Sequence, residues 1–249
     1  MSAKPPRILV IAGSDPSGGA GLQADIKTVT MLGGYAMAAV TALTVQNSLG
    51  VTAVEPVAPE LVAAQIGACL DDIGADMVKI GMLGSAAVAE AVADALDGFA
   101  GPVVFDPVMV ATSGGVLADA ATIAAFDRLI ARAVLVTPNL PELAALGGLD
   151  RLLARARAVL VKGGHGEGET IEDVLHADGT TRVVRSPRID TRHTHGTGCT
   201  LASAIATHLG AGLPLPEAVR RGVAFVQAAL AAAPGFGSGQ GPLGHHAVR

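Results

Sequence analysis

Short apolar runs alternate along the chain with longer alanine-rich segments in which apolar residues recur at helical spacing. The short runs have the length of buried strands, and the longer segments have the length of helices that cover a sheet. Such alternation is typical of βαβ units and predicts an α/β fold with a parallel sheet. The predicted strands are residues 7–12, 36–43, 77–80, 103–105, 134–136 and 158–161. The predicted helices are residues 22–32, 59–73, 85–96, 120–131, 141–146 and 149–155.

After Gly164 the pattern changes to two extended runs around Asp178-Gly179, a dipeptide typical of a tight hairpin turn. Two long helices, residues 199–210 and 215–232, complete the predicted fold. Residues 236–249 are rich in glycine and lack apolar periodicity, so we predict a mobile tail. His245 and His246 fall within this tail, either as solvated residues or as metal ligands.

Composition narrows the class of protein. Half of the 249 residues are hydrophobic, which suits one large core and predicts a single domain over residues 1–249. The net charge of −5 argues against a nucleic-acid partner. The first apolar run ends at Gly13 and is too short for a signal peptide or a membrane span. Cys69 and Cys199 lie far apart without CxxC spacing, which argues against a disulfide framework or a zinc site and fits the cytoplasm.

The polar and glycine residues concentrate immediately after the predicted strands. In open parallel sheets, ligands bind beyond the carboxyl ends of the strands, so these segments are expected to form one rim. Any one of them is ordinary turn chemistry, and only their common position favours a functional site. In chain order they read GSDPSGGAG from Gly13, TVQN from Thr44, GML from Gly81, DPVM from Asp106, TPNLPE from Thr137 and KGGH from Lys162.

Two familiar phosphate motifs are absent from the sequence. GAGLQA, residues 19–24, follows a strand and opens a helix, like a dinucleotide fingerprint. The region about twenty positions further on carries no acidic residue to bind a ribose, so that motif is incomplete. No Gly-Lys-Ser/Thr sequence occurs in the chain, which excludes a Walker A motif.

A better candidate anion site is HGTGCT, residues 195–200. Gly196 and Gly198 allow several backbone N–H groups to converge at the start of the following helix, whose positive end favours an anion. Cys199 lies in the same field, which is expected to lower its thiol pKa and to suit it as a base beside a developing anion. The alternative is that Cys199 is a small packing residue, which is our interpretation of Cys69.

Three further polar residues follow neighbouring strands and have the donor chemistry of a magnesium site. Asp106, Asn139 and Glu142 supply oxygen or amide groups. Magnesium commonly takes one or two protein carboxylates together with substrate phosphates, so two acidic residues near an anion site suffice. Glu142 has an equally good alternative role in capping the helix that begins near Pro141.

Taken together, seven segments resemble the motifs of the hydroxymethylpyrimidine/phosphomethylpyrimidine kinases of thiamine biosynthesis, in the ribokinase-like superfamily. The resemblance runs from Ile8 to Gln227, and the combination of SDPSGGAG with THGTGCT is its most specific part. The sequence departs from the family pattern at His193 and Thr112 and in a shorter segment between residues 146 and 159. The segments are AGSDPSGGAGLQADIKT, AVTALTVQNSLGV, VKIGML, DPVMVATSG, TPNLPE, VLVKGGH and DTRHTHGTGCTLASAIA.

This resemblance implies a three-layer α/β/α sandwich with a mostly parallel central sheet and a small β flap. It implies a transferase that uses ATP and Mg²⁺ to phosphorylate 4-amino-5-hydroxymethyl-2-methylpyrimidine to its monophosphate and then to the diphosphate. A homodimer with no membrane or nucleic-acid partner is also implied.

The resemblance also implies a role for individual residues. Catalytic positions match Gly196, Thr197, Gly198 and Cys199, and the metal positions match Asp106 and Glu142. Substrate-binding positions match Gly13, Asp25, Gln46, Met82 and Val108, and nucleotide-binding positions match Asn139, Lys162, Gly164 and Thr194.

Two other functions remain open at this point. A pyridoxal or pyridoxine kinase handles a pyridine that carries a similar hydroxymethyl arm, and this branch of the superfamily includes both activities. A pyrimidine-binding sensor that has lost catalysis is a hypothesis of a different class, motivated by the departures from the family pattern.

Overall fold

A computed structural model describes residues 4–110, 115, 117–164, 166 and 168–248. In this part of the chain, nine strands form one sheet in the order β3-β2-β1-β4-β5-β6-β7-β8-β9. The six strands from β2 to β7 in this order pair in parallel, and β3, β8 and β9 pair antiparallel at the two edges. The strands are β1 (Arg7–Ser14), β2 (Tyr35–Asn47), β3 (Gly50–Pro56), β4 (Met77–Ile80), β5 (Val103–Phe105), β6 (Leu135–Val136), β7 (Ala158–Val161), β8 (Thr170–Ala177) and β9 (Thr180–Pro187).

Helices cover both faces of this sheet, because the parallel strands need crossover connections. One apolar core joins one face of the sheet to α2, α3, α4 and α6, and a second core joins the other face to α1, α7 and α8. The structure is therefore the three-layer sandwich that the sequence predicts. The helices are α1 (Gly21–Met31), α2 (Pro59–Asp72), α3 (Ala86–Ala95), α4 (Ala120–Arg132), α5 (Leu140–Ala145), α6 (Leu149–Leu153), α7 (Thr197–Gly210) and α8 (Leu215–Ala231).

The main departure from the predicted elements lies at β2. The sequence predicts a strand that ends at Leu43, but β2 continues to Asn47 and pairs with β3, a strand that the apolar pattern did not reveal. Because this ribbon extends past the sheet, its alternate residues Leu43 and Val45 remain exposed and the strand lacks a continuous apolar signal. Gln46 consequently sits on a strand rather than in a loop. The predicted hairpin is present as β8 and β9.

The predicted mobile tail is wrong for the residues that the structure describes. His245 is 2% exposed and Leu243 is 4% exposed. The Nε2 atom of His245 lies 2.8 Å from the hydroxyl of Thr200, and burial lowers the pKa of His245 to about 4. Glycine in this segment allows the backbone to pack closely against neighbouring elements. For example, a Cβ on Gly244 would overlap the carbonyl oxygen of Ala232.

The remaining findings concern His193, Thr112 and the possibility of a membrane-spanning helix. His193 is partly buried and packs against Gly241, so it is not a simple surface substitution. Thr112 lies outside the described residues. Within the described ranges, no helix combines the length and the apolar character needed to cross a membrane.

Candidate active site

A large cleft of approximately 1840 Å³ opens at the carboxyl ends of the parallel strands. It brings together fourteen of the fifteen candidate residues from β1, β2, the loops after β4 to β7 and the start of α7. The exception is Asp25. The residues on the cleft wall are Gly13, Gln46, Met82, Asp106, Val108, Asn139, Glu142, Lys162, Gly164, Thr194, Gly196, Thr197, Gly198 and Cys199.

Asp25 lies beneath the cleft, on the face of α1 that packs against the sheet. Its side chain has no solvent exposure and accepts hydrogen bonds from Lys79 Nζ at 2.8 and 2.9 Å and from Ser203 at 2.7 Å. Burial disfavours the charge on Lys79, but Asp25 more than offsets this effect and raises the lysine pKa. The expectation that Asp25 binds substrate is therefore corrected: Asp25 joins α1, β4 and α7 through a buried ion pair and its hydrogen bond from Ser203. Disruption of such a buried pair typically costs about 3–5 kcal/mol.

The start of α7 forms a loop with free backbone donors. Gly196 has φ 87°, a left-handed conformation that turns the chain into the helix. The Thr197 amide donates to the Thr194 carbonyl oxygen, whereas the amides of Gly198 and Cys199 have no backbone carbonyl partner among the described residues. Two N–H groups and the positive end of a 14-residue helix therefore line the cleft.

A lysine and two carboxylates lie directly beside this helix start. Lys162 Nζ is 2.6 Å from Asp106 Oδ1 and 3.7 Å from Glu142 Oε2. Burial disfavours the charge on Lys162, but the two carboxylates more than offset it and raise the lysine pKa. A Cβ built on Gly198 would lie 3.3 Å from Lys162 Nζ and 3.6 Å from Asp106 Oδ2, so all four groups share one corner of the cleft.

Asn139 and Glu142 form a capping box at the start of α5. The Asn139 side chain accepts from the Glu142 amide, and the Glu142 carboxylate accepts from the Asn139 amide, both at 2.8 Å. The capping alternative for Glu142 is therefore realised, while its side chain still lines the cleft. Burial raises the pKa of Glu142, and Lys162 opposes that rise.

Cys199 does not have the lowered pKa that its helix position suggests. Burial raises the pKa of its thiol to about 11, and the Lys79 ammonium and a hydrogen bond from the Gly21 backbone offset this only in part. Asp25 and Asp106 raise it further. The positive end of one helix lowers the thiol pKa by less than burial and the two nearby carboxylates raise it. Cys199 is therefore a thiol at neutral pH.

Asp15 and His195 form a second polar centre in the cleft, where the loop after β1 meets the residue that precedes Gly196. Burial raises the pKa of Asp15, but hydrogen bonds from His195, Ser17 and Ala20 outweigh it and lower the pKa to about 2. His195 Nε2 lies 2.8 Å from Asp15 Oδ2 and 3.0 Å from the side-chain amide of Gln46. Met82 and Gly13 are adjacent to this centre, with a built Gly13 Cβ 3.0 Å from the Met82 sulfur.

A family model described as phosphomethylpyrimidine kinase matches residues 15–244, which include every cleft residue named above except Gly13. The chain belongs to the phosphomethylpyrimidine kinase family. Within this family, a hydroxymethylpyrimidine/phosphomethylpyrimidine kinase of Rhizobium meliloti (strain 1021) is 47% identical over 256 residues. The match covers 95% of this chain and 96% of the relative.

Solved kinase structures share the fold of this phosphomethylpyrimidine kinase family member. The pyridoxal kinase of Bacillus subtilis, in an ADP complex, has a TM-score of 0.90 and 33% identity over 98% of each chain. A phosphomethylpyrimidine kinase of Clostridium difficile 630 has a TM-score of 0.78 and 34% identity over 89% of this chain and 98% of that chain. The ribokinase-like fold and the kinase class expected from the sequence are confirmed.

The sequence reasoning about this family member missed Asp15 and His195. Both lie inside quoted motifs, yet they were considered only as parts of glycine-rich loops. A signal for Asp15 was present, because an aspartate before Pro-Ser-Gly-Gly is typical of a side chain that accepts from the following backbone amides. No comparable signal links His195 to Asp15, since the two are 180 residues apart.

Proposed function

We propose that the protein uses ATP to phosphorylate the hydroxymethyl group of 4-amino-5-hydroxymethyl-2-methylpyrimidine, and then converts the monophosphate to the diphosphate. The observation that supports this most strongly is one cleft that contains both a ring-binding end and a helix start with free amides. The family supports the choice of pyrimidine, and the reaction is a step of thiamine biosynthesis that we place in the cytoplasm.

The ring-binding end is Gln46, Met82, Gly13 and Val108. The Gln46 amide offers an acceptor and a donor side by side, which complement the amine and the adjacent ring nitrogen of an aminopyrimidine. The absence of a side chain at Gly13 lets the Met82 thioether pack closely against the β1 backbone, and this thioether is a soft contact for the face of a flat ring. The substrate is thereby held with its hydroxymethyl arm toward Cys199.

The phosphate end is the start of α7. Phosphoryl transfer passes through a loose transition state, so the protein mainly aligns the acceptor oxygen and stabilises charge on the equatorial oxygens. The amides of Gly198 and Cys199 are preorganised donors for those oxygens, and the helix field adds to them. Lys162, Thr194, Asn139 and Gly164 line the adjoining part of the cleft and form the nucleotide side of the proposed site.

The donor set beside Lys162 fits one magnesium ion. Asp106 Oδ2 is buried and has no hydrogen-bond partner in the described residues, and the Glu142 carboxyl group lies near the same lysine, 3.7 Å from Lys162 Nζ. The described residues contain no cluster of three or more His, Cys, Asp or Glu side chains able to hold a metal. Asp106 and Glu142 would therefore hold the ion together with nucleotide phosphates, where it supplies positive charge to their oxygens.

Cys199 is placed to handle the proton of the substrate hydroxyl. A strong resident base is unnecessary when bond formation to the acceptor oxygen lags behind departure of the leaving group. The thiol is protonated at neutral pH, so it acts either through a small thiolate fraction or as a relay to Lys79 and Asp25 below it. Both possibilities make the proton step sensitive to the sulfur.

A coupled ADP-release assay with Mg-ATP tests the proposal against its rivals. We expect kcat/KM for the pyrimidine to exceed that for pyridoxal by about tenfold or more, since a site built for an amine rejects a ring that lacks it. Chelation of Mg²⁺ is expected to abolish turnover, and mass spectrometry is expected to show both the monophosphate and the diphosphate.

Two results would contradict this expectation. Efficient turnover of pyridoxal beside negligible turnover of the pyrimidine would make the protein a pyridoxal kinase, which the similarity to the Bacillus subtilis enzyme makes worth testing. Saturable binding of the pyrimidine without any phosphorylated product, with and without Mg-ATP, would make it a sensor.

We propose that the protein is a homodimer. The ribbon of β2 and β3 and the turn between them expose Leu43, Val45 and Leu49 at 55%, 61% and 69%, an apolar surface of the kind that partner subunits cover. Light scattering at the concentration of the kinase assay is expected to give twice the mass of one chain. A single-chain mass under those conditions would refute the proposal.

A further inference from the structure

His195 connects an aspartate to the residue proposed to contact the substrate ring. It is 2% exposed, and its Nε2 atom is within hydrogen-bond distance of both Asp15 Oδ2 and the side-chain amide of Gln46. Gln46 and His195 both belong to the cleft wall, but His195 is almost completely buried. The path from Asp15 through His195 to Gln46 is not used in the phosphoryl-transfer chemistry described above.

The two contacts of Nε2 determine where the histidine hydrogen lies. Asp15 is a carboxylate that only accepts, so Nε2 must carry the hydrogen and donate to it. A nitrogen that carries hydrogen cannot also accept from the amide NH₂ of Gln46. A half-turn of that amide places its oxygen at the same position, and in this orientation one Nε2–H is shared between Asp15 and Gln46.

The other ring nitrogen supports this tautomer. His195 Nδ1 is buried and has no hydrogen-bond partner in the described part of the chain. An unpaired buried N–H is rarer and more costly than an unpaired acceptor, so the hydrogen belongs on Nε2 and not on Nδ1.

Packing holds His195 in place independently of any ligand. Its backbone amide donates to the Gly241 carbonyl oxygen at 3.1 Å. A Cβ on Gly19 would overlap the imidazole ring, so the loop after β1 rests directly on it. Asp15 is fixed in turn by hydrogen bonds from the backbone amides of Ser17, Gly19 and Ala20. The orientation of Gln46 is therefore set before substrate arrives.

We propose that His195 is a positioning residue: held by Asp15, it fixes the Gln46 amide with its oxygen toward the imidazole and so determines which way round the aminopyrimidine binds. The amide oxygen retains a lone pair for the exocyclic amine, and the amide NH₂ faces the ring nitrogen. The ring is then held with its amine on the His195 side. This inference rests on the proposed function, because it assigns the substrate orientation in that site.

Kinetics with a substrate pair test the inference. The pair is the aminopyrimidine and the analogue in which hydrogen replaces the 4-amino group. In His195→Phe, which keeps the ring but removes Nε2–H, we expect KM for the aminopyrimidine to rise about tenfold or more, with KM for ATP little changed. The preference for the aminopyrimidine over its analogue is expected to fall by a similar factor.

The conservative variant and a double mutant provide controls. His195→Gln places an amide donor near the former Nε2 position and is expected to restore most of the lost preference. The double variant of Gln46→Ala with His195→Phe is expected to lose no more of this preference than Gln46→Ala alone, because the two substitutions remove the same interaction. An unchanged preference in His195→Phe, or losses that add in the double variant, would overturn the inference.

A measurement without substrate separates this inference from the proposed function. Nitrogen-15 NMR of the unliganded protein identifies which ring nitrogen of His195 carries hydrogen, and the His195→Phe spectrum identifies its signals. Hydrogen on Nε2 is expected, and hydrogen on Nδ1 would overturn the inference whatever the substrate is. Failure of the wild-type protein to phosphorylate the pyrimidine would instead refute the proposed function.

Discussion

Replacing Gly196 by alanine is expected to lower kcat by at least roughly 10²–10³-fold, the loss seen when preorganised donors to a charged transition state are removed. The backbone at Gly196 has φ 87°, which a side chain disfavours, and a Cβ there would overlap the carbonyl oxygen of Gly19. Both obstacles involve backbone, so the start of α7 must move away from the loop after β1. The amides of Gly198 and Cys199 then leave the position at which, in the proposed reaction, they stabilise the transferred phosphoryl group.

Gly212 offers a matched control, because it has φ 84° just beyond the other end of α7 and open space where a Cβ would stand. Gly212→Ala therefore carries the same conformational strain without the overlap, and we expect nearly full kcat. Steady-state kinetics on both variants, after thermal melting has shown that each is folded, check this prediction. Equal kcat in Gly196→Ala and Gly212→Ala would show that the position of the α7 amides does not limit the reaction.

Replacing Cys199 by alanine is expected to lower kcat by roughly 10²–10⁴-fold, the range for general acid–base groups, with little change in substrate KM. The physical reason is that the sulfur lines the cleft beside the free amides and, in the proposed reaction, handles the proton of the substrate hydroxyl. Cys199→Ser is expected to be impaired as well, since a serine hydroxyl ionises less readily than a thiol. Cys69→Ala is the control, because Cys69 lies on α2 away from the cleft.

The pH dependence separates proton handling from packing at Cys199. With a thiol pKa of about 11, the thiolate fraction is low at neutral pH and grows about tenfold for each pH unit up to that value. If the thiolate is the active form, kcat of the wild-type protein rises with pH above neutrality, and kcat of Cys199→Ala does not. An unchanged kcat in the alanine variant would show that Cys199 serves only in packing.

The sequence predicted the architecture because the fold depends on local signals repeated along the chain. The buried parallel strands are apolar runs, and the helices that cover them have apolar spacing of helical period, so these elements are recognised apart from a few terminal residues, whereas the edge strand β3 is not. Nine of the site residues lie at the carboxyl ends of strands, so strand direction brings them to one cleft, and the start of α7 supplies the other five.

What the sequence could not supply depends on burial and on distant partners. Asp25 was expected in the cleft, but its partner Lys79 is 54 residues away and the pair is fully buried. The thiol pKa of Cys199 was expected to be low, because the helix field is visible in sequence whereas desolvation and the two nearby carboxylates are not. Glycine in the last residues was interpreted as flexibility, although here it allows backbone segments to pack closely.

The packed C-terminal segment has a practical consequence for anyone who handles this protein. Gly239 and Gln240 donate to Ser48 at the turn after β2, Gly241 accepts from His195, and His245 contacts Thr200 in the first turn of α7. Trimming these residues as a dispensable, low-complexity end would remove supports from both walls of the cleft at once.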